Sequence, residues 1–278
     1  MSVSGAGKEV AELKEIARRA RINVIEMLEK AGSGHPGGSL SACDIMTVLM
    51  NRVMRHDPKN PRWEDRDRFV LSKGHCIPAW YALLAEAGYF PEKDLMTLRE
   101  LNSPLQGHPD RNMLDCVEAC TGSLGQGLSI ALGMAMAAKV GKKDYRVYCM
   151  IGDGESQEGQ IWEAILAAPK FKLDNLVAIL DHNKGQIDGP VAEVMPLAPI
   201  AEKVRAFNWH VIEIDGHDYD QIVKAFDEAK NVTGKPVFIL ADTVKGKGVS
   251  FMEGVIDWHG KAPSAEEAAK AIAELEAA

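Results

Sequence analysis

Short apolar runs alternate with amphipathic segments along most of the chain. Five runs rich in β-branched and other apolar residues predict strands at 68–72, 145–151, 175–181, 210–215 and 236–242. Apolar residues at helical spacing predict helices at 9–32, 41–54, 76–88, 124–140, 155–168, 197–206, 218–230 and 264–278. Strands that are apolar almost without interruption are typical of a parallel sheet covered on both faces. The pattern therefore predicts an α/β fold, a parallel sheet flanked by helices on both faces, in one domain over residues 1–278.

Composition and charge narrow the class of protein. The 278 residues are 46% hydrophobic and 26% charged, which is an ordinary globular composition. The formal net charge of −8 argues against a general nucleic-acid binder. The N-terminus has no apolar core like that of a signal peptide, and no apolar run is long enough to span a bilayer. Five cysteines without zinc-site spacing fit reduced thiols, so we expect a cytoplasmic protein without membrane contact.

The turn after the second predicted strand reads GDGESQEG (152–159). A glycine-rich turn between a strand and a helix usually exposes backbone N–H groups to a phosphate. Asp153 would repel that phosphate unless a cation lies between the two charges. The helix expected directly after Gly154 would then offer its free N–H groups to the phosphate oxygens.

Asp153 and Asn183 each follow a predicted strand, one crossover unit apart along the chain. Neighbouring parallel strands would bring the two side chains together at the binding edge of the sheet. Carboxylate and amide oxygens are ligands that Mg²⁺ and Ca²⁺ accept. Each residue alone fits a local role, Asp153 as a helix cap and Asn183 in an Asx-turn, but the pair favours a metal site.

Eight stretches that cover most of the chain, taken together, resemble the N-terminal part of transketolases, which bind thiamine diphosphate. The resemblance is greatest to the form in which the enzyme is split into two subunits. Single-chain transketolases usually have proline where this chain has Ser123, a departure that fits the split form. The stretches are SGHPGGSLSACDI (33–45), DRFVLSKGH (67–75), LQGHPD (105–110), TGSLGQGLSIALGMA (121–135), GDGESQEGQIWEA (152–164), NKGQIDGP (183–190), KGKGVSFME (245–253) and DWHGKAP (257–263).

The resemblance implies a set of ligands. A divalent ion, Mg²⁺ or Ca²⁺, would be held by Asp153, Asn183 and the Gly185 carbonyl. Contacts to thiamine diphosphate would come from His75, Gly122, Leu124, Gly152, Gly154, Ile187, Lys245 and His259. From the residues alone, Lys245 and Lys247 could equally form a plain surface turn.

Four histidines match active-site positions of the family: His35, His75, His108 and His259. Each adjoins a glycine in a loop, and neutral-range titration suits histidine to proton transfer and hydroxyl recognition. Taken singly, each is better explained as a hydrogen-bonded loop residue, and the set of four in matching motifs favours an active site. The other four histidines are expected to have no catalytic role, His217 as a turn residue and His56, His182 and His210 without assignment.

Two acids on the helix predicted after the GDG turn are Glu158 and Glu163. The resemblance implies that Glu158 joins a carboxylate network between the two cofactor sites of a dimer. The alternative is two solvated acids favoured by the helix dipole. Cys76 follows the SKGH turn directly, which places it near the expected site.

The resemblance covers only the diphosphate-binding domain. It implies that an activating glutamate and most phosphate-binding arginines come from a pyrimidine-binding domain, which we expect on a separate C-terminal subunit in an α2β2 assembly. The implied activity is transfer of a two-carbon ketol unit from a ketose phosphate to an aldose phosphate, as in the pentose phosphate pathway.

Three alternatives stay open. The chain could be the cofactor subunit of a 2-oxo acid dehydrogenase or of an enzyme like 1-deoxyxylulose-5-phosphate synthase. It could be a scaffold that binds metal and diphosphate without catalysis. The split form could also act on a modified sugar, such as a sulfonated or branched one. The histidine set and DWHGKAP (257–263) favour transketolase over the first.

Overall fold

The computed structural model describes residues 9–277, so the expectation about a signal peptide concerns a segment that lies largely outside the described part. Five parallel strands form the central sheet, and a short antiparallel hairpin stands apart from it. The strands are β1 (Arg68–Leu71), β2 (Val147–Gly152), β3 (Leu176–His182), β4 (Gly185–Gln186), β5 (Gly189–Pro190), β6 (His210–Asp215) and β7 (Val237–Asp242). The order in the main sheet is β1-β2-β3-β7-β6, and each pair of neighbours is parallel.

The helices confirm most of the predicted segments. They are α1 (Val10–Ala31), α2 (Pro36–Val48), α3 (Ile77–Glu86), α4 (Gln126–Val140), α5 (Gly159–Lys170), α6 (Val191–Val194), α7 (Ile200–Ala206), α8 (Tyr219–Asn231) and α9 (Ala265–Glu276). No helix within residues 9–277 is both long and apolar enough to cross a bilayer.

Two predicted helix starts are wrong. The helix expected from residue 41 begins at Pro36, because proline fits the first helical position and the two glycines after it are tolerated. It continues as a π-helical turn over Leu49–Val53. The helix expected from residue 155 begins only at Gly159, after a 3₁₀ turn over Glu155–Gln157.

Both faces of the sheet are covered, as the continuous apolar strands predict. In β2, Cys149 and Ile151 pack with residues of α4 and α5. The alternate residues Tyr148 and Met150 pack on the other side, with residues of α1, α2, α3 and α8. Successive side chains of a strand point to opposite faces, so a strand buried on both sides has no polar alternation.

The strand order places a switch point between β3 and β7. The chain adds β1, β2 and β3 side by side, and then returns through β6 at the edge to insert β7 next to β3. Helices α4 and α5 therefore cover one face, whereas α8 covers the other. Binding crevices of open parallel sheets lie beyond the carboxyl ends of strands at such a switch point.

A buried ion pair joins α1 and α2 behind this crevice. The Arg21 guanidinium donates to both carboxylate oxygens of Asp44, at 2.9 and 2.8 Å, and also to the Lys247 carbonyl at 3.1 Å. His217 Nδ1 lies 2.8 Å from Asp44, and the Tyr219 hydroxyl donates to it at 2.6 Å. Burial raises the pKa of Asp44, but the Arg21 charge and these hydrogen bonds outweigh burial and hold the pKa well below its usual range. His217 lies in a turn, as predicted, and its ring completes this cluster.

We expect Asp44→Asn to lower the free energy of unfolding by roughly 3 kcal/mol at neutral pH, because it leaves the Arg21 charge buried without a counter-charge. The pKa of Asp44 is lower in the folded chain than in the unfolded chain. Its contribution is therefore present above about pH 4 and is lost as the pH falls further. Urea unfolding of the wild type and of Asp44→Asn at neutral and acidic pH measures the difference in their free energies of unfolding. This difference should become smaller in acid.

The matched control is Asp115→Asn, which removes the partner of the exposed Arg62 and should leave the urea midpoint unchanged. If the difference in free energy of unfolding between wild type and Asp44→Asn did not depend on pH, the assigned ionisation of Asp44 would be contradicted.

Candidate active site

Asp153 and Asn183 lie next to each other beyond the ends of two neighbouring strands. Gly152 pairs with Asp181 in the register of β2 and β3, so the residues that follow them share one edge of the sheet. The Asp153 carboxylate accepts the backbone N–H of Lys184, the residue after Asn183. The proximity predicted from crossover spacing is confirmed.

The Asp153 carboxylate is a buried negative charge. Its side chain accepts the Gly154 N–H at 2.8 Å, and within residues 9–277 no lysine or arginine forms an ion pair with it. Burial, and then the charge of Asp181, raise the pKa of Asp153. A buried carboxylate with a raised pKa and no paired cation fits the coordination of a divalent ion.

Asp181 orients Asn183, and sequence reasoning missed it. The Asn183 amide nitrogen donates to Asp181 at 2.9 Å, which turns the Asn183 oxygen away from that carboxylate. Lys73 forms a buried ion pair with Asp181 and donates to the Gly38 carbonyl at 3.1 Å. The hydroxyl of Ser41 donates to Asp181 at 2.6 Å, and that of Thr243 also donates to it. A charged residue at the end of the apolar run NLVAILD (175–181) was the available signal.

The turn after Gly154 differs from the prediction. The N–H groups of Ser156, Gln157 and Glu158 donate within the 3₁₀ turn, to the carbonyls three residues before them. No α-helix N-terminus therefore follows Gly154 directly, and Asp153 caps no α-helix there. The prediction that the helix behind Gly154 offers free N–H groups to a phosphate is wrong for this turn.

The buried carboxylate of Glu155 holds the turn after Gly154 against the neighbouring segments. Its carboxylate accepts the N–H groups of Gly152 and Gly125, both at 3.0 Å, and the Ser72 hydroxyl. Burial raises the pKa of Glu155, and these hydrogen bonds oppose the rise. One buried carboxylate thus joins the end of β2, the turn after β1 and the start of α4. Sequence reasoning overlooked it in favour of Glu158 and Glu163.

The segment TGSLGQG (121–127) lies against the SKGH turn. Gly122 has a φ of +135°, and a Cβ there would lie 2.8 Å from the His108 ring. The Thr121 hydroxyl donates to the Leu71 carbonyl at 2.6 Å. A side chain at Gly122 is therefore excluded by both backbone conformation and space, which leaves the backbone open to a close approach. Leu124 is half-buried beside it.

The four predicted loop histidines form one cluster. The His35 ring centroid lies 5.0 Å from that of His75, 5.7 Å from that of His259 and 6.2 Å from that of His108. The rings of His75 and His259 are 5.1 Å apart. One loop, two 3₁₀ turns and the start of α2 thus bring together residues that are widely separated in sequence.

These imidazoles are neutral near neutral pH. Burial lowers the pKa of His35 to about 4, with a further contribution from Arg99, and that of His259 to about 3, with a further contribution from Lys245. Burial also lowers the pKa of His108, and lowers that of His75 strongly. A neutral ring can donate from one nitrogen and accept at the other. The buried Nδ1 of His35 has no partner among residues 9–277.

Lys245 connects the histidine cluster with the loop after β3. Its ammonium group lies 3.1 Å from His259 Nδ1 and donates to the Gly185 carbonyl at 3.3 Å. The side chain is buried, and burial lowers its pKa. A plain surface turn is therefore wrong for Lys245. Lys247 points away and pairs with Glu253 at 3.3 Å.

Several other candidate residues lie at the surface or in packing positions. Glu158 and Glu163 are exposed, and Ile187 is 67% exposed between the two strands of the β4–β5 hairpin. Cys76 is fully buried, 2.6 Å from where a Cβ on Gly38 would lie, so its thiol packs behind the site. The three histidines for which no role was expected each contact a local partner: His56 contacts Tyr89, His182 contacts Asp242, and His210 contacts Glu228.

Residues 13–276 match the family described as transketolase, thiamine diphosphate binding domain. The chain belongs to this family.

Two relatives have nearly the same length as this chain. It is 48% identical over 265 residues to the 6-deoxy-6-sulfo-D-fructose transketolase subunit of Clostridium sp. strain MSTE9, covering 95% of this chain and 96% of the relative. It is 43% identical over 267 residues to an apulose-4-phosphate transketolase subunit of Phocaeicola vulgatus, covering 96% of this chain and 94% of the relative.

A solved transketolase from Campylobacter jejuni has the same fold. The TM-score is 0.92 at 38% identity, and the match covers 97% of this chain but only 43% of the Campylobacter chain. The comparisons confirm the predicted α/β fold, the thiamine diphosphate-binding domain and a transketolase-type subunit like those of the split form.

Glu155→Ala should lower the free energy of unfolding by roughly 3 kcal/mol, because it leaves two buried N–H groups and the Ser72 hydroxyl without their acceptor. Urea unfolding measures the loss. Glu163→Ala is the matched control, since Glu163 is exposed on the next helix, α5. Equal unfolding midpoints for the two variants would show that Glu155 does not hold these three segments together.

Proposed function

We propose that this chain is the cofactor-binding subunit of a split transketolase, which transfers a two-carbon ketol unit from a ketose to an aldose. One observation carries the proposal: four neutral histidines converge on the edge of the sheet that also carries Asp153 and Asn183. The two relatives of the same length are named as transketolase subunits, which supports it.

The residues present fit thiamine diphosphate and a divalent ion. Asp153, the Asn183 oxygen and the Gly185 carbonyl would hold Mg²⁺ or Ca²⁺, all three being hard oxygen ligands. The buried Lys245 cation beside Gly185 would meet the diphosphate. The remaining cofactor contacts would come from the neighbouring positions Gly122, Leu124, Gly152, Gly154, Ile187, His75 and His259.

Bound thiamine diphosphate would supply a carbon nucleophile that carries the two-carbon unit. The chain's own residues would bind the sugar hydroxyls and move protons. The Lys245 ammonium donates toward His259 Nδ1, so the proton of that ring lies on Nε2, which acts as a donor. One or more of the four clustered histidines would exchange protons with the substrate. A neutral ring can accept a proton and later return it. Proton transfer in both directions requires both abilities.

The activity would depend on a second subunit with a pyrimidine-binding domain and an activating glutamate. The names of both relatives of this length contain the word subunit. Glu158, exposed beside Gly125 near the site, would meet another chain in an α2β2 assembly in the cytoplasm.

The sugar is proposed to be a ketose with an anionic end. One relative is named for 6-deoxy-6-sulfo-D-fructose and the other for apulose-4-phosphate, so a modified sugar is a specific second candidate beside the sugars of the pentose phosphate pathway. Both named sugars carry an oxyanion, a sulfonate in one and a phosphate in the other.

The test is reconstitution. The purified chain, with Mg²⁺ and thiamine diphosphate, should transfer no ketol unit by itself, and should do so when mixed with its pyrimidine-domain subunit. Ketol transfer from several anionic ketoses would be measured, with pyruvate decarboxylation as the control reaction that should be absent. Full turnover by the chain alone would refute the need for a partner, and pyruvate decarboxylation without ketol transfer would refute the transketolase assignment.

A further inference from the structure

The turn that carries Lys245, residues 243–248, is fixed by contacts from outside itself. The Gly246 N–H donates to the Gly37 carbonyl at 2.9 Å. Gly246 has a φ of +76°, and a Cβ there would collide with the Met252 carbonyl, so the bend after Lys245 requires glycine. The direction of the Lys245 side chain therefore depends on the groups that hold its backbone neighbours.

His217 bonds the first half of this turn through the outer nitrogen of its ring. The Val244 N–H donates to His217 Nε2 at 2.9 Å. The backbone before the histidine packs closely on the same turn. The Gly216 N–H donates to the Asp242 carbonyl at 2.8 Å, and a Cβ on Gly216 would collide with the Thr243 methyl group. The loops after β6 and β7 are thus in direct contact.

The two hydrogen bonds of the His217 ring fix its tautomer. A backbone N–H can only donate, so Nε2 carries no proton and the ring proton lies on Nδ1. Nδ1 lies 2.8 Å from the Asp44 carboxylate and donates to it. Asp44 is itself fixed by the Arg21 guanidinium and the Tyr219 hydroxyl. The carboxylate therefore selects the tautomer that leaves Nε2 as the acceptor for Val244.

Asp44 also acts on the second half of the turn, through Arg21. Two nitrogens of the Arg21 guanidinium bind Asp44, and the third, Nε, donates to the Lys247 carbonyl at 3.1 Å. One buried carboxylate thus orients two side chains that bond the turn on either side of Lys245. Between these two bonds, the Lys245 ammonium lies 3.1 Å from His259 Nδ1.

We propose that His217 is a positioning residue: its Nε2, kept as an acceptor by Asp44, holds the turn in the conformation that brings Lys245 to the cofactor. This rests on the proposed function, in which the Lys245 ammonium meets the diphosphate. Lys245 is 2% exposed, and a Cβ on Gly37 would lie 3.0 Å from its Cγ. A side chain packed this closely moves with its backbone, so a displaced turn displaces the ammonium.

Two substitutions separate the bond to the turn from the bond to Asp44. In His217→Asn the amide reaches the position of Nδ1 and keeps a donor for Asp44, but leaves Val244 without an acceptor. In His217→Gln the amide oxygen reaches the position of Nε2 and accepts from Val244. A role confined to the buried cluster around Asp44 therefore predicts greater damage in His217→Gln, whereas a role in the turn predicts greater damage in His217→Asn.

Amide hydrogen exchange of the chain without cofactor gives the first readout. Exchange at Val244 should be about 10-fold faster in His217→Asn and close to wild type in His217→Gln. Equal exchange in the two variants, or the reverse order, would refute the proposal. If His217→Asn does not fold, the ¹⁵N chemical shift of His217 Nε2 in the wild type decides: the proposal requires a nitrogen without a proton, and a protonated nitrogen refutes it.

Binding of thiamine diphosphate to the assembled two-subunit enzyme with Mg²⁺, measured by titration calorimetry, gives the second readout. His217→Asn should raise Kd about 10-fold and His217→Gln less than about threefold. In a Lys245→Met background, His217→Asn should raise Kd no further, because His217 acts through the side chain already removed. Losses that add in the double variant would show that His217 does not act through Lys245.

The matched control is His210→Asn, the same change at a ring that bonds Glu228 at the opposite end of β6. It should alter neither the exchange at Val244 nor the Kd. If the wild-type assembly binds no thiamine diphosphate, the proposed function fails separately. The order of hydrogen exchange in the two His217 variants then decides whether His217 holds the turn.

Discussion

The buried ion pair between Lys73 and Asp181 fixes the relative positions of the segments that form the site. Lys73 follows β1 and lies two residues before His75, whereas Asp181 lies near the end of β3, two residues before Asn183. Hydroxyls from α2 and from the turn after β7 converge on the same carboxylate. A buried pair of this kind needs every remaining hydrogen bond satisfied, which these groups achieve. The same network positions Lys245, which lies two residues after Thr243.

Much of the fold could be predicted from the sequence because its signals are local. Apolar runs without alternation report burial on both faces, which only a covered parallel sheet provides. The parallel crossover rule then brings Asp153 close to Asn183 without any knowledge of packing. The four histidines were found through their motifs. The glycine before His75 reflects loops that approach closely, since a Cβ on Gly74 would lie 2.8 Å from Thr121.

The interactions that sequence reasoning missed join distant residues. Glu155 bonds groups of Ser72 and Gly125, and Asp181 bonds Lys73, and neither pairing leaves a periodic pattern in the chain. The turn after Gly154 was predicted as helix because its residues fit one. No α-helix forms there, because the buried Glu155 carboxylate accepts the backbone N–H groups of Gly152 and Gly125. Tertiary hydrogen bonds here override local helix preference.

We propose that Asp153 holds a divalent ion through which this edge of the sheet binds a diphosphate. Binding of Mn²⁺ to the assembled two-subunit enzyme, measured by electron paramagnetic resonance with thiamine diphosphate present, tests it most directly. Asp153→Asn should weaken Mn²⁺ binding by roughly 100-fold or more, whereas Asp188→Asn, the same change at an exposed residue of the adjacent hairpin, should have no effect. Unchanged Mn²⁺ affinity in Asp153→Asn would show that Asp153 is not a metal ligand.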